Sequence, residues 1–300
     1  MKEMTPLQKK ISAVCELKYN EPMARHTSFR IGGPAEVMAF PKNPDELASL
    51  LKEASKLGQI PMILGAGTNV LAPDSGMDGI VVCLKDCLDG LELLDDNRIR
   101  VMAGVTMTRA AVFAANHGLS GMEFAHGIPG TVGGGVYMNA GAYGGEICQV
   151  CHSVEVMEHD GIIRTLSCEE VEFSYRHSVL EETGAIVLSA VFQLREEDPE
   201  KIRMEMKTLM AKRSASQPLD LPSAGSAFKR PAQGYAAALI DQAGLKGYQV
   251  GGAAVSSKHA GFVVNLGNAT AEDVQTLLKQ VADIVFDKFQ IRLEPEVRIW

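Results

Sequence analysis

The sequence predicts an α+β fold with a substantial hydrophobic core. Three observations support this fold class: amphipathic helices with clear end signals, short runs of alternating apolar and polar residues, and an order of elements that is not strictly βαβ. Of the 300 residues, 46% are hydrophobic and 22% are charged, an ordinary balance for a chain that buries a core.

The N-terminal third contains a helix with well-defined end signals over residues 43–57. Asn43 is placed as its N-cap, and Pro44 occupies the first helical position, where a missing N–H costs nothing. Short apolar runs predict strands at residues 60–64 and 80–84. The apolar face of the helix comprises Leu47, Leu50, Leu51, Ala54 and Leu57.

The middle third is richer in strand patterns. The tripeptide His-Asp-Gly at residues 159–161 separates two alternating runs, which predicts a hairpin of strands 154–157 and 162–166. The other elements expected here are strand 98–103, helix 108–117, strand 185–194 and helix 199–213.

The last third is expected to contain two helices and a closing strand. One helix covers residues 235–242, and a longer one starts after the cap Thr270, with Asp273 completing a capping box. Residues 291–300 alternate between apolar and polar side chains, which predicts a strand. The apolar side chains of that strand are Leu293, Val297 and Ile299.

The charge balance excludes several classes of partner. A formal net charge of −8 without a long basic run gives little support for nucleic-acid binding. No apolar run approaches the ~18 residues of a membrane span. The opening residues, Met1–Thr5, lead into a polar stretch and do not resemble an apolar signal core. We therefore expect a cytoplasmic protein that needs no membrane, nucleic acid or obligate protein partner.

The six cysteines do not suggest a disulfide framework. Residues 148–152 have the form Cys-x-x-Cys-His of a c-type haem attachment site, but that chemistry requires export and the run lies at the start of a predicted strand. Coincidence is the favoured interpretation. Cys83 and Cys87 have no partner pair and the histidines are scattered, so no metal site is predicted.

Two glycine-rich loops are the candidate binding features. Residues 65–71 (Gly-Ala-Gly-Thr-Asn-Val-Leu) follow a predicted strand and form a turn with exposed backbone N–H groups, as a pyrophosphate requires. Residues 127–145 contain eight glycines with apolar residues between them. Such a loop fits an ordered backbone that approaches a large flat ligand, for example a flavin with its diphosphate.

Six segments, in order along the chain, resemble those of the UDP-N-acetylenolpyruvoylglucosamine reductases. Residues 27–34, 64–71 and 127–143 resemble the FAD-binding half of that family. Residues 174–178 (Ser-Tyr-Arg-His-Ser), 224–231 (Ala-Gly-Ser-Ala-Phe-Lys-Arg-Pro) and 294–299 (Glu-Pro-Glu-Val-Arg-Ile) resemble its catalytic half.

This resemblance implies a three-part organisation and a reaction. Residues 1–88 and 89–212 are expected to form two FAD-binding subdomains of the vanillyl-alcohol-oxidase type, and residues 213–300 an α+β substrate-binding domain. The implied reaction is the reduction of UDP-N-acetylglucosamine enolpyruvate to UDP-N-acetylmuramate in peptidoglycan precursor synthesis. NADPH is the implied co-substrate and FAD the non-covalent cofactor.

The resemblance also implies three catalytic residues. Arg176 would bind the substrate carboxylate, since a guanidinium binds a carboxylate through two parallel hydrogen bonds. Ser226 would donate the proton, and Glu296 would be a hydrogen-bonding partner of the developing enol. Judged without the resemblance, an exposed arginine, a turn serine and a surface ion pair are the commoner interpretations of these residues.

The remaining implied site residues bind the cofactor and the substrate. The cofactor set comprises Gly65, Ala66, Gly67, Thr68, Asn69, Val70, Leu71, Ile128, Pro129, Gly130, Thr131, Gly133, Gly134, Asn139, Gly141 and Ala142. The substrate set comprises Tyr143, Tyr175, Lys229 and Arg230. The interval from Arg176 to Ser226 is too short for the tyrosine-bearing segment of one class of the family, and Ser216 stands where some relatives have a lysine.

Two alternatives stay open at this level. The glycine-rich loops also fit another FAD oxidoreductase on the same scaffold, such as a hydroxy-acid or sugar oxidase. A non-catalytic protein that binds a nucleotide sugar also fits. The motifs around Arg176, Ser226 and Glu296 favour the reductase.

Overall fold

A computed structural model describes residues 11–85 and 87–300, so the predicted polar start at residues 1–5 lies outside the described part. The chain divides into two compact units. Unit 1 contains the described residues up to Tyr19 together with Val37–Ala66 and Gly79–Ala211. Unit 2 contains Asn20–Glu36, Gly67–Asp78 and Lys212–Trp300.

The first sheet has four strands in the order β1-β2-β5-β3. Its strands are β1 (Glu16–Pro22), β2 (Pro34–Phe40), β3 (Met62–Leu64) and β5 (Met77–Cys83), and β3 runs parallel to β5. Helix α1 (Pro44–Ser55) has the predicted cap, because the Asn43 side chain accepts a hydrogen bond from the Glu46 N–H. The helix ends before Leu57, which is exposed, so the prediction that Leu57 belongs to the apolar face is wrong.

A second, antiparallel sheet is the centre of unit 1. Its order is β12-β11-β13-β7-β6. The strands are β6 (Leu91–Leu94), β7 (Arg98–Met102), β11 (Cys151–Met157), β12 (Ile163–Ser167) and β13 (Ile186–Gln193). The pairing of Met157 with Ile163 confirms the hairpin predicted around residues 159–161.

Helices and short strands complete unit 1. The helices are α2 (Met107–Asn116), α3 (Val132–Tyr137), α4 (Leu180–Thr183) and the start of α5 (Pro199–Ser216). The short strands are β8 (Leu119–Ser120), β9 (Gly141–Ala142), β10 (Gly145–Glu146) and β14 (Arg195–Glu196), and single 3-10 turns lie at Glu123–Ala125 and Ile147–Gln149. One hydrophobic core connects the elements of this unit, and its buried side chains include Leu47, Val101, Val136, Val154 and Phe192.

Unit 2 is built on an antiparallel sheet of order β15-β18-β17-β16. Its strands are β15 (Ser223–Ser226), β16 (Gln249–Val250), β17 (Ala253–Val255) and β18 (Phe262–Asn265). Its helices are α6 (Ala236–Gln242) and α7 (Ala271–Phe289), and a 3-10 turn lies at Met23–Arg25. The buried side chains of α7 join the core of this unit; they include Val274, Leu277, Val281 and Val285.

The closing strand predicted at residues 291–300 is wrong as a single regular element. The segment first makes an isolated bridge between Pro295 and Phe228, and only Arg298–Ile299 forms a strand, β19, which runs parallel to β4 (Val70–Leu71). Because Pro295 has no N–H to donate, a continuous ladder is interrupted there. Leu293 and Val297 are buried as predicted, whereas Ile299 is exposed.

The mixture of helices with mainly antiparallel sheets confirms the predicted α+β class. The division at residues 88 and 212 into three parts remains a proposal. In the described part of the chain, no helix is long and apolar enough to cross a membrane.

Candidate functional site

The first glycine-rich loop starts in unit 1, immediately after β3, as the sequence predicted. A Cβ atom added at Gly65 would lie only 2.6 Å from the hydroxyl oxygen of Thr131 in the second loop. Because Cβ atoms do not tolerate such a distance, a glycine is needed here for the two loops to approach each other. Gly65 and Thr131, both predicted cofactor residues, are therefore neighbours.

The second glycine-rich loop is anchored to the core by its backbone and is partly helical. The Val132 and Gly133 N–H groups donate to the carbonyls of Val105 and Ala103 at 2.8 and 2.9 Å. The buried Thr131 caps α3, its hydroxyl accepting from the Gly134 N–H at 3.5 Å. The sequence predicts an ordered loop over residues 127–145 but no helix within it, because a Val-Gly-Gly-Gly-Val run has poor helix propensity.

Gly134 differs from its neighbours because its Cα faces open space. A Cβ atom there would have only the Thr131 hydroxyl within 4 Å, at 3.7 Å, whereas a Cβ at Gly135 would meet the sulfur of Met107 at 2.7 Å. The open face of Gly134 is the kind of surface that a flat ligand can approach without a side chain in the way.

The rest of the first loop belongs to unit 2 and is tightly packed. Gly67 has φ +61°, and a Cβ atom there would lie 2.0 Å from the carbonyl oxygen of His26. The Gly67 carbonyl accepts from the Ser28 N–H at 3.0 Å, and the Ser28 hydroxyl donates to the Ser223 carbonyl at 2.6 Å. The sequence analysis did not single out Ser28 for a role, although it lies in one of the segments that carry the resemblance.

Asn139 is fully buried, and its side chain is committed to other protein groups. Its amide nitrogen donates to Glu146 Oε2 and to the Ser174 carbonyl, both at 3.0 Å, and its oxygen accepts from the Cys148 N–H at 3.0 Å. Asn139 therefore ties the second loop to the segment that carries Arg176. Only its backbone remains for the predicted cofactor contact.

Arg176 is held in a strained backbone conformation next to the second loop. Its φ is +56°, within a tight turn closed by a bridge between Ser174 and His177. Its guanidinium donates to the Gly141 carbonyl at 3.2 Å, and its carbon Cζ lies 5.2 Å from the ring centre of Tyr175. A non-glycine residue with positive φ costs free energy and is often found at functional sites.

Ser226 and Glu296, both in unit 2, lie on adjacent segments. Ser226 ends β15, and its side chain is exposed. The next residue, Ala227, accepts a hydrogen bond from the Glu296 N–H at 2.9 Å. The Glu296 carbonyl accepts from the Asn69 side chain at 3.1 Å, so the first loop, Glu296 and the end of β15 are connected.

The predicted substrate residues are all at least partly exposed. Tyr143 and Tyr175 are exposed aromatic residues of unit 1, and Tyr143 has φ +54°. In unit 2, Lys229 forms an ion pair with Glu294, and the Arg230 guanidinium lies 4.1 Å from the ring centre of Tyr235. The Lys229 ammonium is thus directed at Glu294.

Ser216 and Cys151 are both engaged by their own protein surroundings. The Ser216 hydroxyl donates to the Lys212 carbonyl at 2.9 Å, as serines near helix ends commonly do. Burial raises the pKa of the Cys151 thiol to about 12, which keeps it protonated and unreactive at neutral pH. Within residues 11–85 and 87–300, no group of three His, Cys, Asp or Glu side chains is arranged to hold a metal ion.

Taken within each unit, these features fit a flavin adenine dinucleotide. A side chain at Gly65 would collide with the Thr131 hydroxyl, and one at Gly67 with backbone. A side chain at Gly134 would project from an open glycine surface. Backbone approach at such positions is what a dinucleotide diphosphate and a flat ring need.

Comparison with known proteins agrees with this geometry. A family described as "FAD binding domain" matches residues 35–167, and one described as "UDP-N-acetylenolpyruvoylglucosamine reductase, C-terminal domain" matches residues 217–300. A protein of Caldanaerobacter subterraneus subsp. tengcongensis named UDP-N-acetylenolpyruvoylglucosamine reductase is 47% identical over 95% of this chain and 93% of its own length. The protein of that name from Latilactobacillus sakei is 45% identical over 94% and 93%.

Solved structures give the same result for the fold. The UDP-N-acetylenolpyruvylglucosamine reductase of Thermus caldophilus has a TM-score of 0.78 and 34% identity, covering 95% of this chain and 98% of its own. A Physcomitrella patens protein titled BBE-like 1 has a TM-score of 0.50 at 13% identity, covers 64% of this chain and 45% of its own, and is similar in fold alone. These matches confirm the predicted FAD-binding fold of the vanillyl-alcohol-oxidase type with a C-terminal domain.

Proposed function

The chain belongs to the family of the UDP-N-acetylenolpyruvoylglucosamine reductases, and from this premise we propose how its own residues carry out the reaction of that family. The chain is an FAD-dependent oxidoreductase that uses NADPH to reduce UDP-N-acetylglucosamine enolpyruvate to UDP-N-acetylmuramate in peptidoglycan precursor synthesis. The single observation that carries this conclusion is 47% identity over 95% of the chain.

The cofactor residues are proposed to act mainly through their backbone. When bound, FAD supplies hydride chemistry, relaying hydride from NADPH to the enolpyruvyl group. The two loops at residues 65–71 and 128–142 would hold it, because their glycines place no side chain between the backbone and a ligand. The open face of Gly134 and the close approach at Gly65 support this assignment.

Arg176 is proposed to bind the substrate carboxylate. Hydride addition to the vinyl carbon leaves negative charge next to that carboxylate, and a permanently charged guanidinium stabilises both. The support is positional: the turn from Ser174 to His177 and the contact with the Gly141 carbonyl fix the arginine beside the second loop. The orientation costs strain at φ +56°, which Asn139 helps to maintain by holding the Ser174 carbonyl.

Ser226 is proposed to donate the proton that completes the reduction. Its exposed hydroxyl lies at the end of β15, where a substrate can reach it. A serine is a weak acid, so its donation depends on a well-fixed position. Lys229, three residues further along the chain, is paired with Glu294 and is therefore not proposed to assist the Ser226 hydroxyl.

Glu296 is proposed to accept a hydrogen bond from the developing enol. Its backbone is fixed at both polar groups, since its N–H donates to Ala227 at 2.9 Å and its carbonyl accepts from Asn69 at 3.1 Å. Such double anchoring is what a catalytic carboxylate requires from its surroundings.

We also propose that the substrate contacts four further side chains, and the support is that each is at least partly exposed: Tyr143, Tyr175, Lys229 and Arg230. We propose no phosphate contact for Ser216, whose hydroxyl bonds to its own helix. The three-part division at residues 88 and 212, the cytoplasmic location and the lack of an obligate protein partner also remain predictions from the sequence.

The test of this function is a spectrum followed by an assay. Purified protein is expected to show flavin absorption bands, and to turn over NADPH continuously only when UDP-N-acetylglucosamine enolpyruvate is present, forming one UDP-N-acetylmuramate per NADPH. Oxygen consumption with a hydroxy acid or a sugar, without NADPH oxidation, would instead identify an oxidase. A colourless protein that takes up no FAD would identify a binding protein.

A further inference from the structure

A tight turn between β17 and β18 brings His259 close to the strand that carries Ser226. The turn is closed by the Ser256 N–H, which donates to the Phe262 carbonyl at 2.8 Å, and by the Phe262 N–H, which donates to the His259 carbonyl at 3.0 Å. The buried Ser256 hydroxyl accepts from the N–H groups of Lys258 and His259, each at 3.2 Å. The backbone of this turn is therefore well determined.

The polar groups of Gly261 link the histidine side chain to the Ser226 strand. The Gly261 N–H donates to His259 Nδ1 at 3.1 Å. The Gly261 carbonyl accepts from the Ala227 N–H at 2.8 Å, and the Ala227 carbonyl accepts from the Glu296 N–H at 2.9 Å. The result is a continuous path of hydrogen bonds from His259, through the residue after Ser226, to Glu296.

Ring packing supports the same link. The His259 ring meets the Phe262 ring edge to face, at 5.0 Å between centres and 76° between planes. Phe262 in turn pairs with Ser226 between β18 and β15. A Cβ atom at Gly261 would lie 3.0 Å from His259 Cε1, so the ring is packed closely against this backbone.

The hydrogen bond to Gly261 assigns the tautomer of His259. Because Nδ1 accepts a hydrogen bond from a backbone N–H, the neutral ring carries its own proton on Nε2. Burial lowers the pKa of His259, and the charge of Lys246 lowers it further, so the neutral ring is favoured at neutral pH.

We infer that neutral His259 is a positioning residue for the reduction, holding Ser226 and Glu296 in place through Gly261 and Ala227. This inference rests on the proposed role of Ser226 as proton donor. His259 does not itself need to touch the substrate. Its protonation would place a new donor on Nδ1, facing the Gly261 donor, and the link would be lost.

The sign of the pH dependence follows from the direction of the shift. The pKa of His259 is lower in the folded protein than its unfolded value of about 6.5. The hydrogen bond that the neutral ring accepts is therefore fully present above about pH 6.5 and is lost as the pH falls through the folded pKa. The acid limb of the substrate-reduction step is therefore expected below about pH 6.5. The charged groups on this side of His259 are Lys246, whose charge lowers the pKa of His259, and Lys258, whose ammonium donates to the Ser214 carbonyl at 2.7 Å.

Two variants of His259 distinguish the effect of its hydrogen-bond acceptor, Nδ1, from the effect of its aromatic ring. His259→Phe keeps an aromatic ring against Phe262 but removes the acceptor, whereas His259→Asn removes the ring but keeps an oxygen near the Nδ1 position. Stopped-flow absorbance gives the rate of flavin reduction by NADPH and the rate of flavin reoxidation by UDP-N-acetylglucosamine enolpyruvate. We expect reoxidation about tenfold slower in His259→Phe, the effect of losing one hydrogen bond, with flavin reduction unchanged. His259→Asn is expected to stay within about threefold of the parent chain and to lose the acid limb.

The controls distinguish a loss of positioning by His259 from a general loss of folding or FAD binding. His117→Phe is the matched control, because His117 Nδ1 also contacts a nearby backbone oxygen, that of Phe113 at 2.8 Å, yet lies on an exposed helix end. It is expected to change neither rate. FAD content and melting temperature show whether each variant is folded. Nitrogen NMR of the parent chain is expected to show a proton on Nε2 and none on Nδ1 of His259, a result that does not depend on turnover.

Three results would overturn the inference. Equal slowing of reoxidation in both variants would mean that the ring itself contacts the substrate. No slowing in His259→Phe would mean that the link has no role in the reaction. A proton on Nδ1 at neutral pH would contradict the hydrogen bond to Gly261. By contrast, a parent chain that never reduces the enolpyruvyl substrate would contradict the proposed function. A normal Ser226→Ala would contradict the role of Ser226 and, with it, this inference, but not the overall reaction.

Discussion

At the level of single residues, the glycines of the two loops differ in what a side chain would meet. The sequence predicts the same role for Gly67 and Gly134, as cofactor residues at which a side chain would displace FAD and leave much of the fold. Gly67 contradicts that expectation, because its φ of +61° and the 2.0 Å approach to the His26 carbonyl make a side chain incompatible with the backbone itself. A sequence shows that a glycine is present but not which side of it is crowded.

We therefore predict different outcomes for two substitutions. Gly134→Val should fold with little change in secondary structure and lose FAD, since its Cβ would occupy open space. Gly67→Val should lose both FAD and thermal stability. Gly58→Val is a useful control for positive φ, because Gly58 has open space around it and lies outside both loops. Circular dichroism and bound-flavin absorbance measure the two properties; tight FAD binding by Gly134→Val would remove this glycine from the cofactor site.

Ser226 leads to the sharpest prediction about catalysis. If its hydroxyl protonates the substrate, it has no part in flavin reduction by NADPH. Ser226→Ala should therefore bleach the flavin at a near-normal rate, while reoxidation by substrate slows by at least about 100-fold. Ser226→Cys should recover part of the loss, because a thiol is the stronger acid. Equal slowing of both steps would mean that Ser226 shapes the site and does not donate the proton.

At the level of elements, the end signals of helices were the most predictable features. The Asn43 cap and the Thr270 capping box appear as the sequence indicated, because these short polar side chains bind backbone groups in their own vicinity. The last strand was not predictable in the same way. Its pairing depends on Phe228 and on Val70–Leu71, which lie far away in sequence, and local alternation carries no information about such partners.

The start of α7 offers a test of stability. The Thr270 hydroxyl accepts from the Asp273 N–H at 3.0 Å, so Thr270→Ala is expected to lower the free energy of unfolding by about 1 kcal/mol. Thr208→Ala is the control, since the exposed Thr208 only donates to the Met204 carbonyl within its own helix; its effect should stay within about 0.5 kcal/mol. Urea titration at constant FAD compares the midpoints. Equal midpoints for the two variants would show that the cap contributes nothing.

The same capping box depends on pH. The backbone N–H groups of Thr270 and Gly252 donate to the Asp273 carboxylate and lower its pKa. Because the carboxyl pKa of Asp273 is lowered in the folded protein, the stabilisation that its carboxylate gives to the start of α7 is present above the unfolded pKa. That stabilisation is lost as the pH falls through the folded pKa. Asp74 adds a second carboxylate at this helix end, accepting from the Ala271 N–H at 2.8 Å.

At the level of the whole molecule, the fold class and the cofactor were predictable because six segments that resemble one family occur in a fixed order between residues 27 and 299. Which segments of the chain make up each of the two units was not predictable. Unit 2 takes up Asn20–Glu36 and Gly67–Asp78 in addition to the C-terminal part. Such discontinuity is a property of tertiary packing and leaves no local trace in hydrophobic periodicity.

The whole molecule is also expected to hold FAD without a covalent bond. The loops at residues 65–71 and 128–142 contain no histidine or cysteine that could form one. Acid precipitation should therefore release the yellow colour into the supernatant, and FAD added to the stripped protein should raise its melting temperature, since it binds the folded state only. Colour that stays with the pellet would contradict this prediction.

The pairing of β4 with β19 also determines when, during synthesis of the chain, this part of the fold can form. Asn69 binds the Glu296 carbonyl across a separation of 227 residues, and the N–H groups of Arg298 and Trp300 donate to the carbonyls of Asn69 and Leu71. On a ribosome, the first glycine-rich loop emerges long before these partners exist. Until residues 296–300 have been synthesised, the polar groups of Asn69 and Leu71 can bind only water, so a chain cut short before residue 296 cannot fix this loop. Under the proposed cofactor role of the loop, flavin uptake would then mark only those polypeptides whose synthesis has passed this segment.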